Sequence, residues 1–336
     1  MNYPVESPQI RDAIKRSERI LAVSHANPDA DAVASLMSFK RAFETDARSV
    51  TLALGAGTVP ETLVFIEGLD AIGLVDEIDV SEFDLVALLD CADEERVGPV
   101  GETVVADALK HAPVINIDHH VTNSRYATIN LVDPDAAATC EILQLLYEDL
   151  GIPFDADMAT ILLSGIQGDT LGLRTPSTTG RTLQVSAQLL DHGADLDTIV
   201  DHLFRIRPYS TLKLWAQALS RVETVGELIW TEITPEMLEE SGADESEAEG
   251  IVNFLAGTRG ARAAAMLYRK PDGWRVSMRS LTEDVDVSEL TGLFGGGGHS
   301  RAAGCSLTGD ESVRKTFLNT VSERISTSPG ASIVRV

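Results

Sequence analysis

The chain has 336 residues and a mass of 36.1 kDa, more than one core of about 100 to 150 residues holds, so two domains are expected. With 44% hydrophobic and 24% charged residues, no long apolar run, and a start (Met1-Asn2-Tyr3-Pro4-Val5-Glu6) unlike a signal peptide, a disordered chain and a membrane-spanning helix are excluded and a cytoplasmic location is expected. A net charge of -25, from 27 basic and 52 acidic residues, excludes the broad basic groove that long duplex nucleic acid requires.

Up to about residue 135, apolar β-like runs alternate with helical ones: strands at 19–24, 50–54, 84–89 and 113–118, helices at 31–47 and near 60–67. That alternation predicts a parallel sheet flanked by helices. Helices follow at 136–150, 155–171, 179–192, 196–204 and 208–222, packing on the sheet or capping it. After Val222 the pattern changes. A strand is expected at 225–233, an acidic link at 239–246, a helix at 247–256, strands at 262–269 and 273–281 joined by a Pro271-Asp272-Gly273 turn, a helix at 310–325, and a frayed tail from Ser326. The expected fold class is therefore α/β, with a parallel-sheet domain at 1–215 and a smaller α/β domain at 216–336.

Cys91, Cys140 and Cys305 are scattered, so they form neither a disulfide framework nor a CxxC zinc knuckle and read as small core residues. The acids are spread along the whole chain and lysines are few, at 15, 40, 110, 213, 270 and 315. This composition fits a halophile's cytosol, because near 1 M salt the Debye length is about 3 Å and a dense acidic surface repels little.

Three of the expected strands deliver metal-binding residue types to one edge. The first ends in Ser24-His25-Ala26-Asn27-Pro28-Asp29-Ala30-Asp31, the second in Asp90 and the third in Asp118-His119-His120, while Asp169 ends an otherwise apolar helix. Ligands in open α/β sheets bind beyond the carboxyl ends of the strands. Singly, Asp31 and Asp90 read as helix or turn caps; together with three histidines at four converging ends they read as a site. Asp29, Asp31, Asp90 and Asp169 would repel one another, and two divalent cations cancel their four charges. Oxygen-rich ligands with one or two imidazoles suit Mn²⁺, with Mg²⁺ or Co²⁺ as substitutes, and ions about 3.5 to 4 Å apart activate a shared water and clamp a phosphoryl group. His111, His192 and His202 read as solvated.

The four segments resemble the DHH phosphoesterase superfamily, across nearly the whole chain and most closely its NrnA-type branch of oligoribonucleases and pAp phosphatases. The motifs are His25-Ala26-Asn27-Pro28-Asp29-Ala30-Asp31-Ala32, Asp90, Asp118-His119-His120, and Gly165-Ile166-Gln167-Gly168-Asp169-Thr170, the last departing from the usual pattern at Gly168 and Leu171. The resemblance implies that His25 and Asp29 hold one Mn²⁺, that Asp31, His119 and Asp169 hold the other, and that Asp90 bridges them. It implies His120 as general acid or phosphate contact, Asp118 as the carboxylate orienting a histidine, and Arg174 as a phosphate contact.

Gly295-Gly296-Gly297-Gly298-His299-Ser300-Arg301-Ala302-Ala303-Gly304 resembles the GGGH motif of the DHHA1 domain. Glycines at 296, 297 and 298 would let backbone N–H groups approach a phosphate or ribose, with His299 as a further donor. Ser277 and Arg279 share one face of the expected strand 273–281, opposite Trp274, Val276 and Met278. The resemblance implies that Arg279, Ser280 and His299 grip the substrate at an interdomain active site.

The expected function is Mn²⁺-dependent hydrolysis of very short oligonucleotides, linear dinucleotides such as pApA, or 3′-phosphoadenosine 5′-phosphate (pAp), with no membrane partner and a homodimer compatible. Alternatives are a cyclic di-AMP hydrolase, a RecJ-like single-strand exonuclease, a manganese inorganic pyrophosphatase, and a binding module with a dead site. The 5% aromatic content offers little for the stacking channel of an exonuclease, and the glycine motif speaks against the pyrophosphatase, whose C-terminal domain carries a Lys/Arg-rich signature.

Overall fold

The computed structural model describes residues 2–248 and 250–328, with the side chain of His299 outside the described part. The chain forms two compact units, Met1–Ile206 and Arg207–Val336. In the first, the order is α1 (Glu6–Arg16), β1 (Arg19–Ser24), α2 (Ala30–Phe43), β2 (Ser49–Leu54), β3 (Ile72–Leu74), β4 (Leu85–Leu89), α3 (Gly101–Ala108), β5 (Val114–Asp118), β6 (Ile129–Val132), α4 (Thr139–Leu150), α5 (Ala156–Asp169), α6 (Gly180–Asp191) and α7 (Leu196–Val200). All six strands are parallel, in the order β3-β2-β1-β4-β5-β6.

The central strands are apolar on both faces because both faces are covered. Ile20 and Ala22 of β1 and Leu85, Ala87 and Leu89 of β4 pack with α1, α2, α4 and α5. Their alternates, Leu21, Val23, Val86 and Leu88, pack with Val104, Val105 and Ala108 of α3. The strand order reverses between β1 and β4, and a crevice opens beyond the carboxyl ends of strands at such a point.

The second unit runs α8 (Tyr209–Leu219), β7 (Glu223–Val225), β8 (Leu228–Ile233), α9 (Pro235–Ser241), α10 (Ile251–Leu255), β9 (Ala263–Lys270), β10 (Gly273–Ser280), α11 (Val287–Gly292), β11 (Gly297–His299), β12 (Ala302–Thr308) and α12 (Glu311–Thr327). Its sheet, β11-β12-β10-β9-β8-β7, is antiparallel except for the β8–β9 pair. Trp274, Val276 and Met278 of β10 meet Phe317, Val321 and Ile325 of α12 on one face. Leu214 and Ala218 of α8 are buried with Ile229, Ile233 and Met266 on the other, which is why the division falls at 206 rather than at the expected 215.

Several expectations differ from the fold. The helix near 60–67 is a single 3₁₀ turn, Glu61–Leu63, hemmed between Pro60 and left-handed Gly68, too short a run to nucleate an α-helix. The helix expected to reach residue 47 ends at Phe43, where Thr45 and Arg48 close a turn by mutual backbone hydrogen bonds. Part of the expected acidic link belongs to α9, and the helix expected over 247–256 is reduced to α10, with Glu249 outside the described residues. Residues 326 and 327 belong to α12, and the rest of the expected tail, from 329, lies outside the described residues.

Candidate metal centre

Beyond β1 the chain turns through left-handed Asn27 (φ 54°) and Pro28 into α2. The N-cap of that helix is Asp29, whose Oδ1 accepts from the Ala32 N–H at 3.0 Å, so the capping role considered for Asp31 falls two residues earlier. Asp31 is instead fully buried in the first turn, and both its oxygens accept backbone N–H groups from the start of α4, Thr139 at 2.6 Å and Cys140 at 3.0 Å. Ala138 at the α4 N-cap has no side chain to offer, and Asp31 takes its place at the positive end of that helix.

Asp90 follows β4 with φ 60°, a left-handed conformation that costs a residue with a side chain about 1 to 3 kcal/mol. Its N–H donates to the Ile117 carbonyl at 3.0 Å, and its Oδ1 accepts from Thr139 Oγ1 at 3.0 Å. Asp169 reaches the group because α5 lies close against α2. A Cβ at Gly165 would stand 2.4 Å from Cys140 Sγ and 2.7 Å from Asp31 Oδ1, and one at Gly168 would stand 2.6 Å from the Ala30 Cβ. Gly168 is thus a packing requirement of this chain.

The expected ligands converge. Donor atoms lie within 4.8 Å of one another in three sets: His25, Asp29 and Asp90; Asp31, His119 and Asp169; and Asp90, His119 and His120. His25 Nε2 is 3.3 Å from Asp90 Oδ2, and His119 Nε2 is 3.2 Å from Asp169 Oδ2 and 3.5 Å from Asp90 Oδ1. Burial opposes charge on His25 and His119, yet the Asp90 contact raises His25 to about 9, and Asp169 with Asp90 raises His119 to about 10. Burial also raises Asp169 to about 6, against its bond from His119, and lifts Asp31 well above the usual carboxylate range, with the charge of Asp169 adding to the rise. For Asp90, burial is outweighed by His25, His119 and His120, which hold its carboxyl below that range.

This donor set fits divalent cations. A hydrogen bond between His25 Nδ1 and the Ala26 carbonyl at 2.9 Å turns the buried Nε2 toward Asp90 and Asp29. A lone pair facing carboxylates is repulsive until a proton or a metal ion stands between them.

Four residues that the sequence did not single out complete the surroundings: Arg96, Asn116, Asn123 and Thr139. Asn123 Nδ2 donates to Asp118 Oδ2 at 2.6 Å and to Asn116 Oδ1 at 2.7 Å, while buried Asn116 donates to the Cys91 carbonyl at 3.0 Å. Asp118 thus stands outside the three ligand sets and accepts from His120 Nδ1 at 2.8 Å. Arg96 approaches the other ring nitrogen, with an Nη 3.2 Å from His120 Nε2. The available signal was positional, since Arg96 and Asn123 lie in the loops that carry Asp90 and the histidines.

The other expected contacts are placed differently. Arg174 folds onto its own turn, donating Nε to the Leu171 carbonyl at 2.5 Å, with its guanidinium 5.9 Å from the Phe204 ring centroid. That turn carries left-handed Leu171 (φ 50°) and Leu173 (φ 62°). Ser277 and Arg279 do share a face of β10, and Arg279 Nε donates to Asn253 Oδ1 at 2.8 Å. Ser280 belongs to the other face and donates to the Thr282 carbonyl at 2.6 Å. The glycine run is a paired strand, since Gly297, Gly298 and His299 register with Gly304, Ala303 and Ala302. A Cβ at Gly296 would stand 2.2 Å from the Gly304 carbonyl oxygen, whereas one at Gly297 would meet nothing within 4 Å. The side chain expected of His299 as a donor lies outside the described part.

A parallel doubly wound sheet carrying acids and imidazoles at its switch point, followed by a mixed-sheet unit, defines the class. Residues 19–166 match the DHH family, N-terminal domain, and residues 227–327 match the DHHA1 domain. The chain is 34% identical over 291 residues to the Thermus thermophilus protein named bifunctional oligoribonuclease and PAP phosphatase NrnA, covering 86% of this chain and 84% of that one. It is 27% identical over 303 residues to the Bacillus subtilis protein of the same name, covering 86% and 90%. A crystal structure of an exopolyphosphatase-related protein from Bacteroides fragilis shares the fold, with a TM-score of 0.87 at 22% identity over 95% of this chain and 96% of that one. The chain belongs to the DHH family.

Proposed function

We propose that this protein is a metal-dependent phosphoesterase that hydrolyses short oligonucleotides, linear dinucleotides or pAp. The observation that carries the reading is the convergence of His25, Asp29, Asp31, Asp90, His119 and Asp169 on overlapping donor sets, in a chain 34% identical to an oligoribonuclease and PAP phosphatase. His25 and Asp29 would hold one ion, Asp31, His119 and Asp169 a second, and Asp90 both. The oxygen-rich, thiolate-free donor set supports Mn²⁺, with Mg²⁺ or Co²⁺ as substitutes. Such ions, when bound, supply Lewis acidity and a water activated near neutral pH.

The chain's own residues do the rest. Thr139 and the α4 N-terminus fix Asp90 and Asp31, so these carboxylates would hold the ions without first having to reorganise. Asp118 fixes the ring of His120. In the second unit, Arg279 and the open side of Gly297 form the candidate nucleotide contact. The acidic, lysine-poor composition supports work in a salty cytosol.

Purified protein in molar KCl with Mn²⁺, offered pAp, pApA, a five-nucleotide RNA, cyclic di-AMP and pyrophosphate, tests the reading. Hydrolysis of one of the first three is expected, and Asp90→Asn should lower it by more than the roughly 100-fold typical of losing an outer-sphere partner. Manganese uptake without turnover of any nucleotide would refute it.

A further inference from the structure

Arg96 reaches the histidine pair of the site without an ion pair of its own. The chain carries 52 acidic residues against 27 basic ones, and Arg19, Arg41, Arg181 and Arg205 of the same unit all rest on carboxylates. Among the described residues no carboxylate lies within ion-pair distance of Arg96. Its Nε is buried without a hydrogen-bond partner, and an Nη faces His120 Nε2 at 3.2 Å. An unsatisfied buried donor costs about 1 to 3 kcal/mol, which a fold retains where something else accepts from it.

The backbone that carries this guanidinium is fixed on both sides. The Arg96 N–H donates to Asp93 Oδ1 at 2.8 Å, and its carbonyl accepts from the Ala26 N–H at 2.9 Å, beside the ligand loop. The next residue is wedged under β2, where a Cβ at Gly55 would stand 1.3 Å from the Val97 carbonyl oxygen. None of these contacts uses the Arg96 side chain.

The His120 ring is held between two charged groups, with Nδ1 2.8 Å from Asp118 Oδ1 and Nε2 3.2 Å from an Arg96 Nη. A phosphate oxygen arriving at this edge needs donors, and the planar fork of an arginine matches it.

We infer that Arg96 is a substrate-binding residue, donating to the non-bridging oxygens of the phosphoryl group, and that His120, held by Asn123 through Asp118, positions it. This inference rests on the phosphoesterase reading. The test uses the full chain loaded with Mn²⁺ and compares Arg96→Gln and Arg96→Lys with the wild type, by calorimetric binding of Mn²⁺ and of AMP and by the KM and kcat for pApA.

Arg96→Gln should leave Mn²⁺ affinity within about twofold, weaken AMP binding by at least tenfold and raise the KM, with Arg96→Lys restoring part of the loss. If the wild type cleaves pApA and Arg96→Gln binds AMP as tightly, the Arg96 contact is overturned while the phosphoesterase reading stands. If the wild type cleaves no nucleotide, yet Arg96→Gln still loses AMP binding, the contact stands and the phosphoesterase reading falls. A parallel loss of Mn²⁺ uptake in Arg96→Gln would also overturn the inference, since it would make Arg96 a support of the ligands.

Discussion

Loading the site with manganese should expel protons, in a number set by the two buried imidazoles. In metal-stripped protein at about pH 7.5, His25, raised to about 9, and His119, raised to about 10, are both imidazolium. Ligation requires the Nε2 lone pair, so each ring gives up its proton when its ion binds. Loading both ions should release about two protons. Apparent affinity for each ion should then rise about tenfold per pH unit up to about pH 9, and fall more steeply below about pH 6, where Asp169 takes up a proton. The stability of metal-stripped protein moves in the opposite direction. A histidine whose folded pKa exceeds its unfolded value near 6.5 contributes fully below that value and loses the contribution as pH rises through the folded pKa. For His25 alone the loss by pH 9 is roughly 3 kcal/mol. Calorimetric titration with Mn²⁺ in buffers of different ionisation enthalpy reads the proton count directly. A count of zero, or an affinity flat from pH 6.5 to 8.5, would show that these rings are not ligands.

Gly165→Ala should destabilise the first unit by about 1 to 3 kcal/mol, the usual effect of overpacking, because the new methyl meets Cys140 Sγ and Asp31 Oδ1; urea unfolding with and without Mn²⁺ checks this, and an unchanged midpoint would deny the close α2–α5 contact. Gly297→Ala separates the two roles of the glycine run, since its Cβ would point into open space. It should leave the melting temperature within about 2 °C, given that surface changes stay within about 0.5 kcal/mol, while weakening pAp binding; full affinity would remove Gly297 from the substrate contact.

How much of the fold the sequence discloses follows from burial. β1, β4 and β5 are covered on both faces, so each reads as an uninterrupted apolar run, and their ends lie within a residue of expectation. The edges β3 and β6 are half-exposed and three and four residues long, which leaves no period to detect. α1 buries Ile10 and Ile14 with one serine, too narrow a stripe to stand out among its charged neighbours. β11 was hidden for a different reason, since glycine is depleted from strands and its place here comes from the close approach of β12, a tertiary demand with no local signature.

The metal-binding residue types were legible because their chemistry is rare: three histidines and four aspartates at converging strand and helix ends have few other uses. What holds them was not, because Thr139, Asn116 and Asn123 are ordinary polar residues whose importance lies in what they face. Asp31 shows the difference most clearly. From sequence it is an acid at the start of a helix, and the first helix it would cap is its own; in the fold it caps α4, whose N-terminus comes from residues more than a hundred positions away. Its charge is therefore shared between a helix end and the site, and the same two N–H bonds that tolerate a buried carboxylate also fix its direction toward His119 and Asp169. Replacing either helix contact would loosen a ligand without removing one, a distinction that only the long-range pairing reveals.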